Sequence, residues 1–582
     1  MNNTMKAVIA ATIAVSMMLC SASLLSDSYV DADEPIQTID LDAEYLESIE
    51  SIESGNVYAL PSDTAYILTD DLDLGANYLK TSGNCSIDLA GNVIRSSNDY
   101  PLTVDTLNGA GTTTISDSVG GGGIIGSGTA AVRNNGNLVI TGGTFEGQSN
   151  AVNQPSNGKS LTITSGTFEA NIPIEIVGGT ANIDGGTFTG TFAGLESRFP
   201  TGFLTSNYVM PSVVISGGTF SGDYGVYTRV GSLTIADSEL NGDAYGLFIE
   251  TIPTSPSYNS SYQSPTVTID DTVVTGQHGI VIEGDDDHTA TLVVNGGTIT
   301  GLNGSAISGN GSRDNTTVTI NDGTLTGNNN PGIYHPQTGD LTINGGTITG
   351  ESGVQFCGSG NVTINGGTLV GTYPALDNPG KPSGNSDGAG VDGAALSIVS
   401  RGPGYQEEGT TVNVSINGGT FISDNNSPIA SYRLQQTTEG NWASNDETDL
   451  NSSLGIFSIS AGSFEGPSYR PSIDFDESQD AAGKYGISGG TFTGGVETSF
   501  IVDGVDFEIG DDGSVSVGDD VIEEDRPYIP PIQDDDDYVP LPPVVVYEDD
   551  DSNDTTTIVA CAAAAVVAAL MAVFLIIERR RN

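Results

Sequence analysis

Short alternations of apolar and polar residues recur along most of this chain, and a pair of glycines punctuates each one. One copy reads Leu341-Thr342-Ile343-Asn344-Gly345-Gly346-Thr347-Ile348-Thr349-Gly350. Both halves alternate with period two, the pattern of a strand with one face buried. Equivalent glycines stand at Gly143, Gly166, Gly186, Gly218, Gly297, Gly323, Gly346, Gly367, Gly419, Gly462 and Gly490, each followed by Thr or Ser and then by Phe, Ile or Leu. Two degenerate copies, Leu233–Gly242 and Val267–Gly276, divide the widest gap into ordinary lengths. A unit of roughly 20–26 residues with occasional insertions is the signature of a solenoid.

Each unit holds three alternating pieces. A Gly-φ-x-φ segment (φ apolar), such as Gly353-Val354-Gln355-Phe356, is followed by a variable turn. Then comes φ-Thr-φ, such as Val362-Thr363-Ile364, and after the Gly-Gly turn a Thr-φ segment. Three short strands per repeat, turning between them, predict an all-β fold: a single parallel β-helix spanning 65–518. Stacking then assigns every position. Phe145, Phe168, Phe188 and Phe220 should form one interior stack, continued by Leu325, Ile348 and Leu369 and finished by Phe421, Phe464 and Phe492. Thr162, Thr234, Thr268, Thr319, Thr342 and Thr363 should line the outside. Asn295, Asn321, Asn344, Asn365 and Asn417 should form an amide ladder. The glycines supply positive φ; they lack the spacing of a nucleotide loop, and no helix pattern follows them.

Ahead of the coils, in the expected cap 33–64, Leu41, Tyr45, Ile49 and Ile52 fall at helical spacing. Asp40 is the expected N-cap of a helix running to about Ser54, with Asp42 and Glu44 suiting its positive end. Such a helix would cover the open end of a solenoid.

Composition refines this picture. Length alone, 582 residues, suggests several domains, but stacked coils share one core. Gly 78 with only 16% charged residues fits neither a helical protein nor ordinary disorder. A net charge of -57 argues against nucleic-acid partners, whose phosphates it would repel. Outside the two chain ends only Cys85 and Cys357 remain, roughly eleven coils apart at about 4.8 Å per coil, too far for one disulfide.

The ends predict topology. Residues 1–32 read as a signal peptide, with Lys6 before the apolar Ala7–Leu25, or alternatively as a retained anchor. Residues 519–557 carry Pro527, Pro530, Pro531, Pro540, Pro542 and Pro543 among acidic runs, the composition of a stiff, unfolded acidic stalk. Ile558–Ile577 is an uncharged apolar run of 20 residues, long enough for a transmembrane helix. Arg579-Arg580-Arg581 in the tail 578–582 places the C-terminus in the cytoplasm and the repeats outside.

Ser86-Ile87-Asp88-Leu89-Ala90-Gly91-Asn92-Val93-Ile94, the Gly-Gly-Thr-φ-x-Gly copies and the closing Phe500–Val517 together resemble the right-handed parallel β-helix, pectin-lyase-like superfamily. Within it the chain is most similar to membrane-anchored adhesin-like surface proteins of methanogenic archaea and gut bacteria. The likeness covers roughly residues 40–518. It implies a cell-surface, membrane-anchored protein engaged in adhesion or carbohydrate binding. The same fold also hosts polysaccharide lyases, hydrolases and passive envelope components.

Insertions in a solenoid mark its candidate binding face. Phe199–Ser212, Thr251–Pro265 and Arg433–Leu454 enter at one corner and carry Phe199, Phe203, Tyr208, Tyr258, Tyr262 and Trp442. Thr372–Asp392 enters elsewhere. Tyr227, Phe248 and Tyr334 should face outward on the strand beside the shared corner. These nine aromatics are the candidate binding residues, suited to stacking on glycans or anchoring a partner surface. Packing of the loops against the rod is the simpler reading of the same rings.

A catalytic reading has weaker candidates. Arg198, Arg229, Glu250 and Glu283 should stack as a charge ladder, with Glu250 and Glu283 as neighbouring carboxylates. The resemblance draws attention to Asp270, Asp271, His278 and Gly279, but the superfamily's Arg-x-Lys has no counterpart. His278, His288 and His335 lack metal-ligand spacing, and Asp285-Asp286-Asp287 reads as a solvated loop. No catalytic residue, metal or cofactor is therefore assigned. Glycosylation sequons begin at Asn84, Asn303, Asn361 and Asn413, among others, for an exported chain.

Overall fold

A computed structural model describes residues 37–49, 56–105, 111–156, 158–200, 208–251, 262–284, 288–310, 315–374, 392–401, 405, 412–436, 442–444, 455–475 and 485–518. The signal segment, the acidic stalk and the apolar run 558–577 all lie outside them. Among the described residues no helix is long and apolar enough to cross a membrane. The described residues belong to one compact unit.

The chain builds long parallel sheets, the arrangement of a β-helix. The φ-Thr-φ segments form a 17-stranded sheet, from Gln37–Leu41 through Leu341–Ile343 to Tyr485–Ile487. We call this the first ladder. The Thr-φ segments (such as Thr347–Gly350) and the Gly-φ-x-φ segments (such as Val354–Phe356) form a second and a third ladder within one 33-stranded sheet. Each coil pairs in register with the next: Leu341 with Val362, Ile348 with Leu369, Val354 with Leu396.

Register carries the chemistry from coil to coil. Phe145, Phe168, Phe188 and Phe220 stack with centroids 5.0, 4.9 and 4.5 Å apart, all fully buried. Leu240, Val274 and Ile299 carry the column to Leu325. Phe421, Phe464 and Phe492 close it at 4.7 and 4.6 Å. Gly346 makes the turn before this column at φ +85°, and a Cβ there would lie 2.7 Å from the Gly323 carbonyl oxygen. Both facts require glycine. The degenerate copies solve the turn differently. There the left-handed residue is Asp237 (φ 48°) or Asp271 (φ 39°), one position earlier. Ser238 and Thr272 occupy the glycine's place and donate their hydroxyls to the carbonyls of Ala236 and Asp270.

The N-terminal helix differs from expectation. Asp40 lies in the strand Gln37–Leu41, opposite Ile67. The helix spans only Ala43–Ser48, and Asp42 is its N-cap, accepting from the Tyr45 amide at 2.8 Å. Thr38, Ile39, Asp40 and Leu41 alternate with period two as well as fitting a helical spacing. Pairing with Thr64–Leu68 decides between the two readings, because it buries Leu41 in the core. Leu46 follows it inward, and Tyr45 and Ile49 pack half-buried against the same core. At the other end Val515–Val517 runs antiparallel to Gly490–Phe492 and to Phe507–Ile509. The reversal ends the parallel stacking.

Candidate functional site

The third ladder's outward positions run in register through Glu175, Glu196, Tyr227, Phe248, Val281 and Ser308. Alternation puts these side chains outside the lumen, yet they are covered rather than solvated. Tyr227 is 4% exposed, Phe248 7% and Tyr334 6%, so these outward-facing rings are packed rather than open to solvent. Tyr227 and Phe248 pack edge-on at 5.2 Å within an apolar cluster separate from the lumen. Tyr334 belongs to a different cluster, with Cys357, Val399 and Tyr432, and receives a hydrogen bond from Arg401 at 3.2 Å. Cys85 and Cys357 are buried free thiols.

The corner insertions use their aromatics as ties. Phe199 packs edge-on against Tyr208 (5.7 Å) and Tyr262 (5.8 Å), joining the first insertion to the second. The Tyr208 hydroxyl donates to the Val177 carbonyl, and that of Tyr262 to the Arg229 carbonyl. Burial pushes the Tyr208 phenol up. The third insertion begins as a hairpin, with Trp442–Ser444 antiparallel to Ile429–Gln436. Phe203 and Tyr258 lie outside the described residues.

A row of rings not singled out above lies at the opposite corner, between the second and third ladders. Phe192, Tyr224, Tyr245 and His278 occupy consecutive coils and are each half-buried. Tyr224 pairs in register with Tyr245, and Tyr245 with His278. Phe192 lies 4.9 Å from Tyr224, and Tyr224 5.3 Å from Tyr245. Tyr224 and Tyr245 also rest on Phe248, at 5.3 and 5.1 Å. A readable signal existed. Each ring of the first three stands one or two residues before the Gly of Gly-φ-x-φ, in three successive repeats.

On the other flank the charges pair instead of forming a simple ladder. Arg198 bonds Glu175 at 2.7 Å, and Arg229 bonds Glu250 at 2.6 Å. Arg229 also donates to the Tyr227 hydroxyl (2.7 Å) and lies 4.6 Å from that ring's centroid. Tyr227 in turn donates to Glu250. Burial, then this carboxylate, raises the Tyr227 phenol. Glu196, not among the candidates above, is almost fully buried, with Arg229 3.9 Å away. Its carboxyl is raised, first by burial; Arg229 opposes this and Glu175 adds to it.

The remaining candidates disperse. Asp270 accepts from the Asn295 amide, Asp271 makes the left-handed turn, and the His278 ring stands beside Gly304 and Ser308. His288 packs on Tyr262, and His335 lies inside the lumen, stacked 5.0 Å from Phe356. Glu250 and Glu283 are register neighbours, but Glu250 is held by Arg229 and Tyr227. Among the described residues no three His, Cys, Asp or Glu side chains group to hold a metal.

No family model, curated protein or solved structure matches this chain.

Proposed function

We propose that this protein is a cell-surface rod, a right-handed β-helix that binds other surfaces or their glycans through one side of the third ladder. In this reading the leader 1–32 is removed, Ile558–Ile577 anchors the chain, and residues 519–557 hold the rod away from the membrane. One observation carries the proposal: half-buried rings of Phe192, Tyr224, Tyr245 and His278 line a single corner of the rod on consecutive coils. Half-buried rings on a rigid scaffold lose little entropy when a partner covers them. The aromatics of the insertion corner are not offered as the contact, since Phe199, Tyr208 and Tyr262 already have partners within the fold. A lyase or hydrolase draws no support from Glu250, whose carboxylate is engaged by an arginine and a phenol.

The test is capture of the full-length chain on glycan-coated and cell-derived surfaces, before and after Tyr224→Ala/Tyr245→Ala. Loss of capture with an unchanged circular dichroism spectrum supports the ring row as the contact. Undiminished capture sinks it. Protease digestion of intact cells separately checks that the repeats face outward.

A further inference from the structure

The ring row is flanked by exposed carboxylates. Asp223 directly precedes Tyr224, and Asp243 stands two residues before Tyr245; both acids are exposed. Among the described residues neither is in an ion pair. Glu250 and Glu283, in neighbouring register positions, stand at the far end of the same strands, where Glu250 is already paired with Arg229. The field reaches the rings: the Tyr224 phenol is raised by burial first, then by Tyr245, Asp223, Glu283 and Glu250.

Rings with negative faces beside unpaired carboxylates select cations. The rod shows this mode with its own side chains. Arg229 sits over Tyr227 with Glu250 beside it, Arg133 over Tyr100 at 4.9 Å, and Arg401 over Tyr405 at 5.1 Å. A neutral sugar would stack on Tyr224 and Tyr245 but would crowd Asp223 and Asp243 without supplying a counter-charge. A guanidinium or ammonium supplies both the stacking and the counter-charge.

We infer that the partner of this strip is an extended polypeptide segment bearing arginine or lysine side chains, laid along the rod axis over Phe192, Tyr224, Tyr245 and His278, with Asp223 and Asp243 as its counter-charges. The strip is linear, one ring per coil, and three coil steps span about 14 Å. That length suits a short extended segment. The whole chain's net charge of -57 speeds the encounter with such a segment. The inference rests on the surface-binding reading above and narrows it to one partner chemistry.

The probe is a fluorescent eight-residue peptide of alternating Arg and Ser, titrated into the full-length chain in detergent. A Glu-Ser peptide and a neutral oligosaccharide run alongside. The Arg-Ser peptide should bind and the Glu-Ser peptide should not. Asp223→Asn/Asp243→Asn should weaken binding about tenfold, the scale of two exposed charge pairs. Asp503→Asn/Asp506→Asn removes two exposed charges at the far end of the rod and should leave affinity unchanged. No binding of the Arg-Ser peptide overturns the inference. Equal weakening by both double variants also overturns it, since attraction would then be generic. If only the neutral oligosaccharide binds, and Tyr224→Ala/Tyr245→Ala abolishes that, the surface-binding reading stands and the cationic partner falls. Both Asp→Asn pairs change exposed side chains, so the result does not depend on a variant that fails to fold.

Discussion

Asn295 donates its side-chain amide to Asp270 Oδ1 at 2.7 Å, and that pair starts a chain of amides running along the rod. Asn321 donates to Asn295, Asn344 to Asn321, Asn365 to Asn344 and Asn417 to Asn365, all between 2.7 and 2.9 Å. The chain has a direction. It begins on a carboxylate, which only accepts, and ends where the Ser460 hydroxyl donates to Asn417. One coil before Asp270 the equivalent residue is Ala236, which offers no acceptor, so an amide at 270 would have nowhere to donate.

The polarity makes a substitution test. Asn321→Ala breaks two bonds and should cost about 1–2 kcal/mol. Asn321→Asp should cost more at neutral pH, although it is nearly isosteric, because two acceptors would then face each other at Asn295. Urea denaturation of both variants checks the order. Equal losses would mean that the ladder has no working direction.

The aromatic column gives a larger effect. Phe188 is fully buried between Phe168 and Phe220. Phe188→Ala should cost about 3–5 kcal/mol through lost burial and a cavity. Phe188→Leu should cost under about 1.5 kcal/mol, because later coils of the same column already carry Leu240 and Leu325. Denaturation midpoints with unchanged m-values would establish both figures.

Legibility in the sequence followed the stacking. Positions repeated coil after coil, such as Phe168 or Asn344, could be placed because each copy confirms the others. Phe192, Tyr224 and Tyr245 escaped because they sit where the second ladder passes into the third, a join whose length varies from coil to coil. One residue separates Gly222 from Tyr224 and two separate Gly242 from Tyr245, and the register shifts there. The burial of Tyr227 was hidden for another reason. Period two separates the lumen from the outside, but an outside position dries when rows on both sides carry large side chains. The N-cap falls on Asp42 instead of Asp40 because residues 38–41 fit both periodicities, and only the partner strand decides.

Glu196 predicts a pH effect. Its folded carboxyl is raised above its ordinary value, so the folded state holds this proton more tightly than the unfolded chain. Its contribution is therefore full below the ordinary carboxylate range and is lost as pH rises through the raised value. Glu196→Gln removes the burden of a buried charge and should be more stable than the wild type at pH 7. The advantage should shrink on acidification and vanish below the usual carboxylate range. A gain that persists at low pH would point to packing instead.

His335 should act in the opposite sense. It is enclosed in the lumen against Phe356, and burial pushes its imidazole from 6.5 down to about 4. The unfolded chain then takes up this proton first. Stability from neutral His335 is present above about 6.5 and is lost as pH falls toward about 4. His335→Phe keeps a ring on Phe356 and removes the titration. Thermal unfolding followed from pH 7.5 to 4 should show a shallower decline for this variant than for the wild type. The two curves should converge in slope above pH 7, where His335 is neutral in both states. Parallel curves throughout would mean that the imidazole is not the group whose protonation loosens the rod.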